Sequence, residues 1–292
     1  MIFGSGAVAN IMDSEVLEGS TICLHDINAK SLELMYQACQ SAIDEKKSNI
    51  TLESTINRLD ALRNATFIIN SIEITPRFDF MEMDYSIPLK FGCKQVSGEN
   101  GGPGGLFHSL RVIPPILKIC EDIQKVCPNA FIINFSNPMS RVCLAIKRKF
   151  PSLRLVGLCH EIMFCKHYLP PMLGTPYSNL EFKAGGLNHF GVILEIKYRD
   201  TGEDAYPDIR KRGPEYIRNI QLWDTNLTAF ILEKYGYLPY TYDSHYGEYM
   251  RWAWDFSDIE KIRNFWKGYA EKSIKKGIRL ERQIRKGKGA KI

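Results

Sequence analysis

Between residues 1 and 158, short apolar runs alternate with segments of helical pattern, and this alternation restricts the fold more than any other feature of the chain. Short apolar runs bounded by turn-forming residues predict buried strands. Strands that alternate with helices predict a parallel sheet with helices on both faces. The runs are a strand stub at 1–3 and segments 21–26, 65–70, 130–134 and 155–158, with 50–52 as a further candidate. We therefore predict an α/β fold with a Rossmann-like, doubly wound parallel sheet at residues 1–158.

The second half of the chain has a different pattern, which predicts a mixed α+β domain at residues 159–292. Segments 179–184 and 190–198 have the character of strands, and the second is apolar without a helical period. Segment 222–235 is predicted to form one helix. Residues 259–283 are predicted to form a long helix that becomes increasingly basic toward its end.

Composition excludes several classes of function. With 292 residues, of which 45% are hydrophobic, the chain can bury a substantial core. Its net charge is +5, but residues 275–292 hold eight Lys or Arg and one Glu, so this segment carries +7 and the rest of the chain −2. We therefore predict no nucleic-acid partner. We also predict no membrane partner, because no apolar run is long enough to span a bilayer.

Eight scattered cysteines without a repeated spacing, and an N-terminus without a basic start and a long apolar stretch, predict reduced thiols in the cytoplasm rather than a disulfide framework.

The segment from Gly4 to Ala9 matches the phosphate-binding turn G-x-G-x-x-G/A of dinucleotide-binding folds. Its first glycine permits a tight turn, and Gly6 lets the backbone approach a pyrophosphate, with Ala7 in the same turn. Asp26 follows the next predicted strand, 22 residues after Gly4, near the spacing of an acid that binds the ribose. These features predict NAD, although Asp26 could instead cap the following helix.

Two polar side chains and one glycine-rich segment follow other predicted strands near the same edge of the sheet. Asn70 ends a strand and could border the ribose or the nicotinamide. Asn137 precedes Pro138 at a strand-to-helix corner, where it could bind a sugar or nicotinamide or form an Asx turn. The Gly98–Gly105 segment has five glycines and is predicted to be a shaped loop rather than a flexible linker.

The helix predicted after that loop places His108 and Arg111 three residues apart, and therefore on one face. Facing a cleft, they could bind substrate hydroxyls or a carboxylate; facing water, they would have no such role. Pro114 and Pro115 fall within the helical pattern and are predicted to kink it.

Cys159 and His160 follow the apolar run 155–158, and Asn188 and His189 lie about thirty residues further on. Open α/β sheets bind ligands at the carboxyl ends of their strands, so we expect these groups to lie in such a crevice. A thiolate and an imidazole suit a borderline divalent ion, and two protein ligands leave positions for substrate. Cys159 and His189 are therefore a candidate metal pair, although each could be an ordinary core residue.

These motifs resemble glycoside hydrolase family 4, the NAD- and manganese-dependent glycosidases with a lactate/malate-dehydrogenase-like fold. The resemblance extends from Gly4 to about Tyr249. It is carried by the Gly4–Ala9 turn, the Gly101–Gly105 loop with Arg111, and the segments 134–138, 157–160 and 186–189. The Cys-His pair at 159–160 is similar to the α-galactosidase, α-glucosidase and uronide-cleaving branches.

The resemblance implies a redox-assisted cleavage, which is an exception to the two-carboxylate mechanism of most glycosidases. A hydride passes from sugar C3 to NAD, a base removes the C2 proton, the C1 substituent is eliminated, water adds and the hydride returns. The family pattern implies that Cys159 and His189 hold Mn²⁺, and that Asn137 and Asn188 contact the substrate.

The resemblance leaves the catalytic base open. Asp243 is our first choice, with Tyr242 and Tyr249 as alternatives, and His160 is a further candidate catalytic residue. The family also implies a homodimer or homotetramer.

The chain departs from the family in a clipped first strand and in a shorter C-terminus without the late segment that helps complete the site. Two other interpretations therefore stay open. One is an NAD-dependent 2-hydroxy-acid dehydrogenase, which would need a His–Asp pair but no metal and no Cys159. The other is a truncated relative that binds NAD without catalysis.

Overall fold

A computed structural model of the chain describes residues 2–220 and 224–285. The α-helices are α1 (Ile2–Met12), α2 (Ala29–Lys46), α3 (Arg58–Leu62), α4 (Arg77–Lys90), α5 (Gly102–Val126), α6 (Met139–Lys149), α7 (Cys165–Leu173), α8 (Tyr206–Asn219), α9 (Asn226–Tyr235), α10 (Asp243–Tyr246) and α11 (Ile259–Arg285). The strands are β1 (Thr21–His25), β2 (Thr51–Thr55), β3 (Phe67–Asn70), β4 (Phe131–Asn134), β5 (Arg154–Gly157), β6 (Leu180–Leu187) and β7 (Phe190–Tyr198).

The first five strands are all parallel and alternate with helices, which confirms the predicted α/β class. They form two sheets, β1-β2 and β3-β4-β5. In the doubly wound order 3-2-1-4-5-6, β1 and β2 correspond to positions 2 and 3, and β3, β4 and β5 correspond to positions 4, 5 and 6. Within residues 2–220 and 224–285 no strand takes the central position, so the single continuous sheet that we predicted is divided into two.

The predicted N-terminal strand stub is wrong for residues 2 and 3, and residue 1 lies outside the described part of the chain. The Gly4–Ala9 segment is helical rather than a turn, because both glycines lie within α1. A three-residue strand would form few ladder hydrogen bonds, whereas the helix satisfies its own amides and buries Val8 against Met35 and Cys39.

The other predicted elements are found close to their expected positions. The strands at 21–26, 50–52, 65–70, 130–134 and 155–158 all form, and the helix predicted at 259–283 is α11. Helix α5 continues through Pro114 and Pro115. Helix α9 begins four residues later than predicted, with residues 222 and 223 outside the described range.

Pro138 is the N-cap of α6, and it follows a cis peptide bond.

Two apolar clusters form most of the core. The first joins α5, α6 and β4 through residues such as Val112, Ile132 and Ile146. The second joins α7 and α8 to the antiparallel hairpin β6-β7 through residues such as Leu169 and Ile193. None of the described helices combines the length and the apolar character of a membrane span. The domain boundary after residue 158 stays a prediction.

The first cluster gives a direct test of the packing. We expect Ile146→Ala, at a fully buried position of α6, to lower the free energy of unfolding by about 2–5 kcal/mol because it leaves a cavity. Leu144→Ala on the same helix is the control, since Leu144 is 51% exposed and should change stability by less than about 0.5 kcal/mol. Urea unfolding measures both. Equal losses in the two variants would contradict this packing.

Candidate functional site

The tip of the β6-β7 hairpin places an imidazole in the interior of the protein. Leu187 pairs with Phe190, so Asn188 and His189 form a two-residue turn. His189 has φ +64, in the left-handed region that few side chains adopt. Its side chain is nevertheless almost completely buried, at 2% exposure. Such strained conformations persist where the surroundings fix them, and they are frequent at functional sites.

The structure brings the two predicted metal ligands together. Cys159 lies two residues beyond the end of β5, and its Sγ is 3.6 Å from Nε2 of His189. The same nitrogen is 3.5 Å from Oε1 of Glu161. One ligand atom from each of these three residues lies within 4.8 Å of the others. Burial and the charge of Glu161 raise the pKa of the Cys159 thiol to about 11 in the chain without a cation.

The second nitrogen of His189 is held by the glycine-rich loop. The amide Nδ2 of Asn100 lies 2.7 Å from Nδ1. A cation bound at Nε2 requires the ring proton on Nδ1, with the Asn100 amide turned so that its oxygen, which has no hydrogen-bond partner among the described residues, accepts from Nδ1–H. Burial lowers the pKa of His189 to about 3. The imidazole is therefore neutral, which is the form that binds metals.

Residues 98–101 of the glycine-rich segment form a shaped loop that Glu248 holds in place, whereas residues 102–105, which we predicted as loop, are the first turn of α5. The backbone amides of Glu99 and Asn100 donate to the two oxygens of the Glu248 carboxylate, at 2.6 and 2.8 Å. A Cβ atom at Gly101 would lie only 1.9 Å from the carbonyl oxygen of Glu248. Glycine is therefore required where the two segments cross.

Glu99 projects from this loop and collects several predicted residues around it. Asn137 Nδ2 donates to its Oε1 at 3.2 Å, and Arg77 approaches the same oxygen at 3.4 Å. His108 is buried, and its Nδ1 lies 2.8 Å from the backbone carbonyl oxygen of Glu99. Asn137 and His108 thus border the cluster, and their roles in substrate binding stay predictions.

Arg111 does not face the cluster with a free guanidinium. It forms a two-pronged ion pair with Asp84 and lies over the ring of Phe80, 4.8 Å from its centroid. Bidentate pairs of this kind are strong and geometrically specific. Arg111 therefore stabilises the contact between α4 and α5 in this conformation.

Asp243, our first choice for a base, is fully buried, and its carboxylate is hydrogen-bonded to residues of α9. Its carboxylate accepts hydrogen bonds from the backbone amides of Leu227 and Thr228, at 2.7 and 2.9 Å, and from the Thr228 hydroxyl at 2.8 Å. These donors lie in the first turn of α9, where a carboxylate stabilises free amides and the helix dipole. The geometry is that of a helix cap.

Tyr249 lies next to the hairpin tip. Its hydroxyl donates to the backbone carbonyl of Asn188 at 3.2 Å, and its ring stacks on Phe190. Asn188 is itself buried, and its Oδ1 has no hydrogen-bond partner among the described residues. His160 is exposed, with its ring edge against Phe164.

The residues predicted to bind NAD fall in two places. Gly4, Gly6 and Ala7 lie within α1, and a Cβ at Gly6 would meet no atom within 4 Å, so no close phosphate cradle is formed there. Asp26 follows β1 as predicted, and its Oδ1 accepts from the amide of Asn28 at 2.8 Å.

Asn70 ends β3 and donates to Asn134 Oδ1 at 2.7 Å, which ties neighbouring strand ends together.

Sequence reasoning missed four acidic or basic side chains of this cluster and one amide. These are Glu99, Asn100, Glu161, His245 and Glu248. His245 Nε2 lies 3.1 Å from Oε1 of Glu161, and its ring is 4.3 Å from that of His189. Glu161 follows the Cys-His pair directly, and His245 and Glu248 lie in the 241–249 segment that is rich in titratable groups. That proximity was the available clue.

The described side chains fit a divalent cation. A thiol, an imidazole and a carboxylate converge in the interior, and this combination is a metal-ligand set. Both oxygens of Glu161 are buried without a hydrogen-bond partner among the described residues. Burial raises the pKa of Glu161 to about 9. A bound cation would supply the positive charge that stabilises the ionised form of this carboxylate.

Comparison with known families agrees with the fold. Residues 1–175 match the family described as family 4 glycosyl hydrolase, and residues 184–289 match the C-terminal domain of the same family. The protein belongs to glycosyl hydrolase family 4, as the sequence motifs predicted.

Individual relatives support the same assignment. The chain is 43% identical over 302 aligned residues to an alpha-glucosidase of Erwinia rhapontici, covering 91% of this chain and 67% of the relative. A 6-phospho-alpha-glucosidase from gut microorganisms, crystallised with NAD and Mn²⁺, is similar with a TM-score of 0.74 at 21% identity, covering 97% of this chain and 64% of the other.

A lactate dehydrogenase from Eimeria maxima is similar with a TM-score of 0.52 at 20% identity, covering 75% of this chain and 61% of the other. At such identities the two structures show the fold, which confirms the predicted lactate-dehydrogenase-like architecture. The chain spans between 36% and 67% of the length of the curated relatives that it matches.

The crossing at Gly101 is testable. We expect Gly101→Ala to lower the free energy of unfolding by about 1–3 kcal/mol or more, because the added methyl group collides with the Glu248 backbone. Gly268→Ala in α11 is the control, since a Cβ there meets nothing within 4 Å. Thermal unfolding followed by circular dichroism compares the two. A harmless Gly101→Ala would show that the loop does not cross Glu248 as described.

Proposed function

We propose that this protein hydrolyses α-glycosides in a reaction that depends on NAD and a divalent cation, with α-glucosides as the first substrates to test. α-Galactosides and uronides are the alternatives. The observation that carries the proposal is the contact between the partly buried Cys159, just after β5, and the buried His189 at the hairpin tip. Membership of family 4 and the 43% identity to an alpha-glucosidase support it.

A plain 2-hydroxy-acid dehydrogenase is the second candidate, on the same fold. Hydride transfer between NAD and a hydroxy acid needs a base to take up the hydroxyl proton, and it does not need a thiol beside an imidazole. Cys159 and Glu161 converge on His189 Nε2, and such an arrangement suits a cation better than a proton relay. The site therefore favours the glycosidase.

Cys159 and His189 would hold the cation through Sγ and Nε2. When bound, the cation would supply positive charge beside the sugar hydroxyl oxygens and so favour loss of the C2 proton. Asn188 lies beside His189 and offers its buried Oδ1, which has no hydrogen-bond partner among the described residues. We assign this oxygen to a substrate hydroxyl. Asn137 would act through its contact with Glu99.

For the base that accepts the C2 proton, the geometry favours Tyr249 over Asp243. The Tyr249 hydroxyl lies 3.2 Å from the carbonyl oxygen of Asn188, at the same hairpin tip that carries His189. Burial raises the pKa of Tyr249. Tyr249 must therefore lose its own phenol proton before it can accept the C2 proton, and a positive charge nearby would favour that loss. Asp243 has three donors on its carboxylate and acts as a cap of α9.

NAD is proposed from the family and from the parallel-sheet fold rather than from a formed phosphate cradle. Asp26 at the end of β1 and Asn70 at the end of β3 are the proposed contacts to the ribose side of the cofactor. The helical state of Gly4–Ala9 provides no turn for the pyrophosphate, so we derive no step from this segment.

Two broader predictions accompany this function. The eight cysteines are all free thiols, which supports a reducing compartment such as the cytoplasm. A homodimer or homotetramer is proposed from the family alone.

The first test is an activity screen. The reduced protein, supplied with NAD and Mn²⁺, is expected to release p-nitrophenol from the α-glucoside, the α-galactoside or a uronide. Release should require both cofactors and disappear in Cys159→Ser, because the serine hydroxyl is a poor ligand for the cation. Oxidation of a hydroxy acid that persists in Cys159→Ser would instead support the dehydrogenase. NAD binding without either reaction would support a non-catalytic relative.

A pair of variants separates the two candidate bases. We expect Tyr249→Phe to keep the fold and to lower kcat by about 10²–10⁴-fold, which is typical of a lost general base. We expect Asp243→Asn to lower the free energy of unfolding by about 1–3 kcal/mol through lost hydrogen bonds, with kcat of the folded variant nearly unchanged. Steady-state kinetics and urea unfolding measure both properties. The opposite pattern would identify Asp243 as the base.

A further inference from the structure

We propose that Glu161 is a third protein ligand of the divalent cation, so that a thiolate, an imidazole and a carboxylate hold the ion together. The proposal rests on the metal dependence proposed above, and it adds a ligand beyond the Cys-His pair that the sequence motifs indicated. Its basis is that the side chains of Cys159, Glu161 and His189 place their ligand atoms close to one another.

The positions of the donor atoms allow joint ligation. Oε1 of Glu161 lies 3.5 Å from Nε2 of His189, and Sγ of Cys159 lies 3.6 Å from the same nitrogen. All three atoms lie within 4.8 Å of one another. The bonds from an ion to sulfur, nitrogen and oxygen ligands are about 2.0–2.3 Å long, so an ion between these atoms could contact all three after small movements.

Glu161 is a buried carboxylate that accepts no hydrogen bond among the described residues, although the His245 ring approaches it. It is 2% exposed, and neither of its oxygens has a hydrogen bond of acceptable geometry within the described residues. The two neighbouring buried glutamates are satisfied. Glu248 accepts two backbone amides, and Glu99 accepts from Asn137 and contacts Arg77. An ionised carboxylate buried without compensation is strongly destabilising, and a bound cation removes that cost.

His245 holds Glu161 in the required direction. Its Nε2 lies 3.1 Å from Oε1 of Glu161, and its ring stacks on Trp266 of α11 with an angle of 11° between the planes. The same oxygen, Oε1, thus faces both His245 and Nε2 of His189. Partners of this kind orient metal ligands from the outer shell. His245 is therefore a positioning residue.

A second set of three residues also has its ligand atoms within 4.8 Å of one another: Glu99, His189 and His245. In that set, Nδ1 of His189 faces Glu99, at 3.9 Å from Oε2. Nδ1 already contacts the Asn100 amide at 2.7 Å. Nε2, by contrast, faces Cys159 and Glu161. The Cys159 set therefore fits the cation better.

The added carboxylate predicts a change in metal preference. Carboxylate oxygens suit Mn²⁺, whereas thiolate suits softer ions such as Zn²⁺. Removing the Glu161 charge should therefore weaken Mn²⁺ binding more than Zn²⁺ binding.

The experiment measures metal binding directly on the whole chain. Binding of Mn²⁺ is followed by the loss of the free-ion signal in electron paramagnetic resonance, and Zn²⁺ binding by calorimetry. Glu161→Gln keeps the shape of the side chain and is expected to weaken Mn²⁺ binding by at least about tenfold, with a smaller effect on Zn²⁺. Glu99→Gln is the matched control, because Glu99 is equally buried beside His189, and it should bind Mn²⁺ within about threefold of the unmodified chain.

The outcomes separate this inference from the proposed function. Unmodified protein that binds no Mn²⁺ would overturn both. Tight binding that is unchanged in Glu161→Gln, or lost only in Glu99→Gln, would overturn the role of Glu161 and leave the metal dependence standing. If Glu161→Gln does not fold, Glu161→Asp and Glu99→Asp form the second pair. Shortening Glu161 should weaken Mn²⁺ binding and shortening Glu99 should not.

Discussion

Three buried glutamates set the constraint on which the site depends. Glu99, Glu161 and Glu248 are each no more than 6% exposed. Burying an ionised carboxylate is costly unless hydrogen bonds or opposite charges replace the lost water. The protein meets this requirement in a different way at each position, and the differences assign a separate task to each glutamate.

Glu248 and Glu99 are satisfied by protein groups, and they build the framework. The Glu248 carboxylate fixes the backbone of the glycine-rich loop from a position almost 150 residues away in the chain. That loop then presents Asn100 to Nδ1 of His189, which directs Nε2 toward Cys159. The metal ligands are thus oriented by a hydrogen-bond chain that begins at Glu248. The Glu161 carboxylate accepts no hydrogen bond among the described residues, and the proposed cation would bind it.

Much of the fold and the central pair of the site were predictable from local patterns. The apolar runs gave the parallel strands, and the end of a strand placed Cys159 in a crevice because parallel strands end at one edge. The expected N-terminal strand failed, because residues 2 and 3 continue into a helix that buries Val8. For so short a segment, tertiary packing decides between a helix and a strand followed by a turn. The local sequence pattern does not contain that information.

The remainder of the site depends on contacts between distant segments. Nothing local to Glu161 indicates that its side chain turns inward toward His245, 84 residues later. Asp243 was attractive as a base because of its chemistry, yet its carboxylate is held by the first turn of α9. Arg111 likewise has the right chemistry for substrate but is paired with Asp84. Residue type identified candidates, and partners determined which of them are free.

The most direct test of this account is a crystal of the protein soaked with Mn²⁺ and measured at the manganese absorption edge. The account predicts one anomalous peak between Sγ of Cys159 and Nε2 of His189, within bonding distance of both atoms. A peak between Glu99 and His245 instead, or no peak in this cluster at a Mn²⁺ concentration that saturates binding in solution, would contradict it.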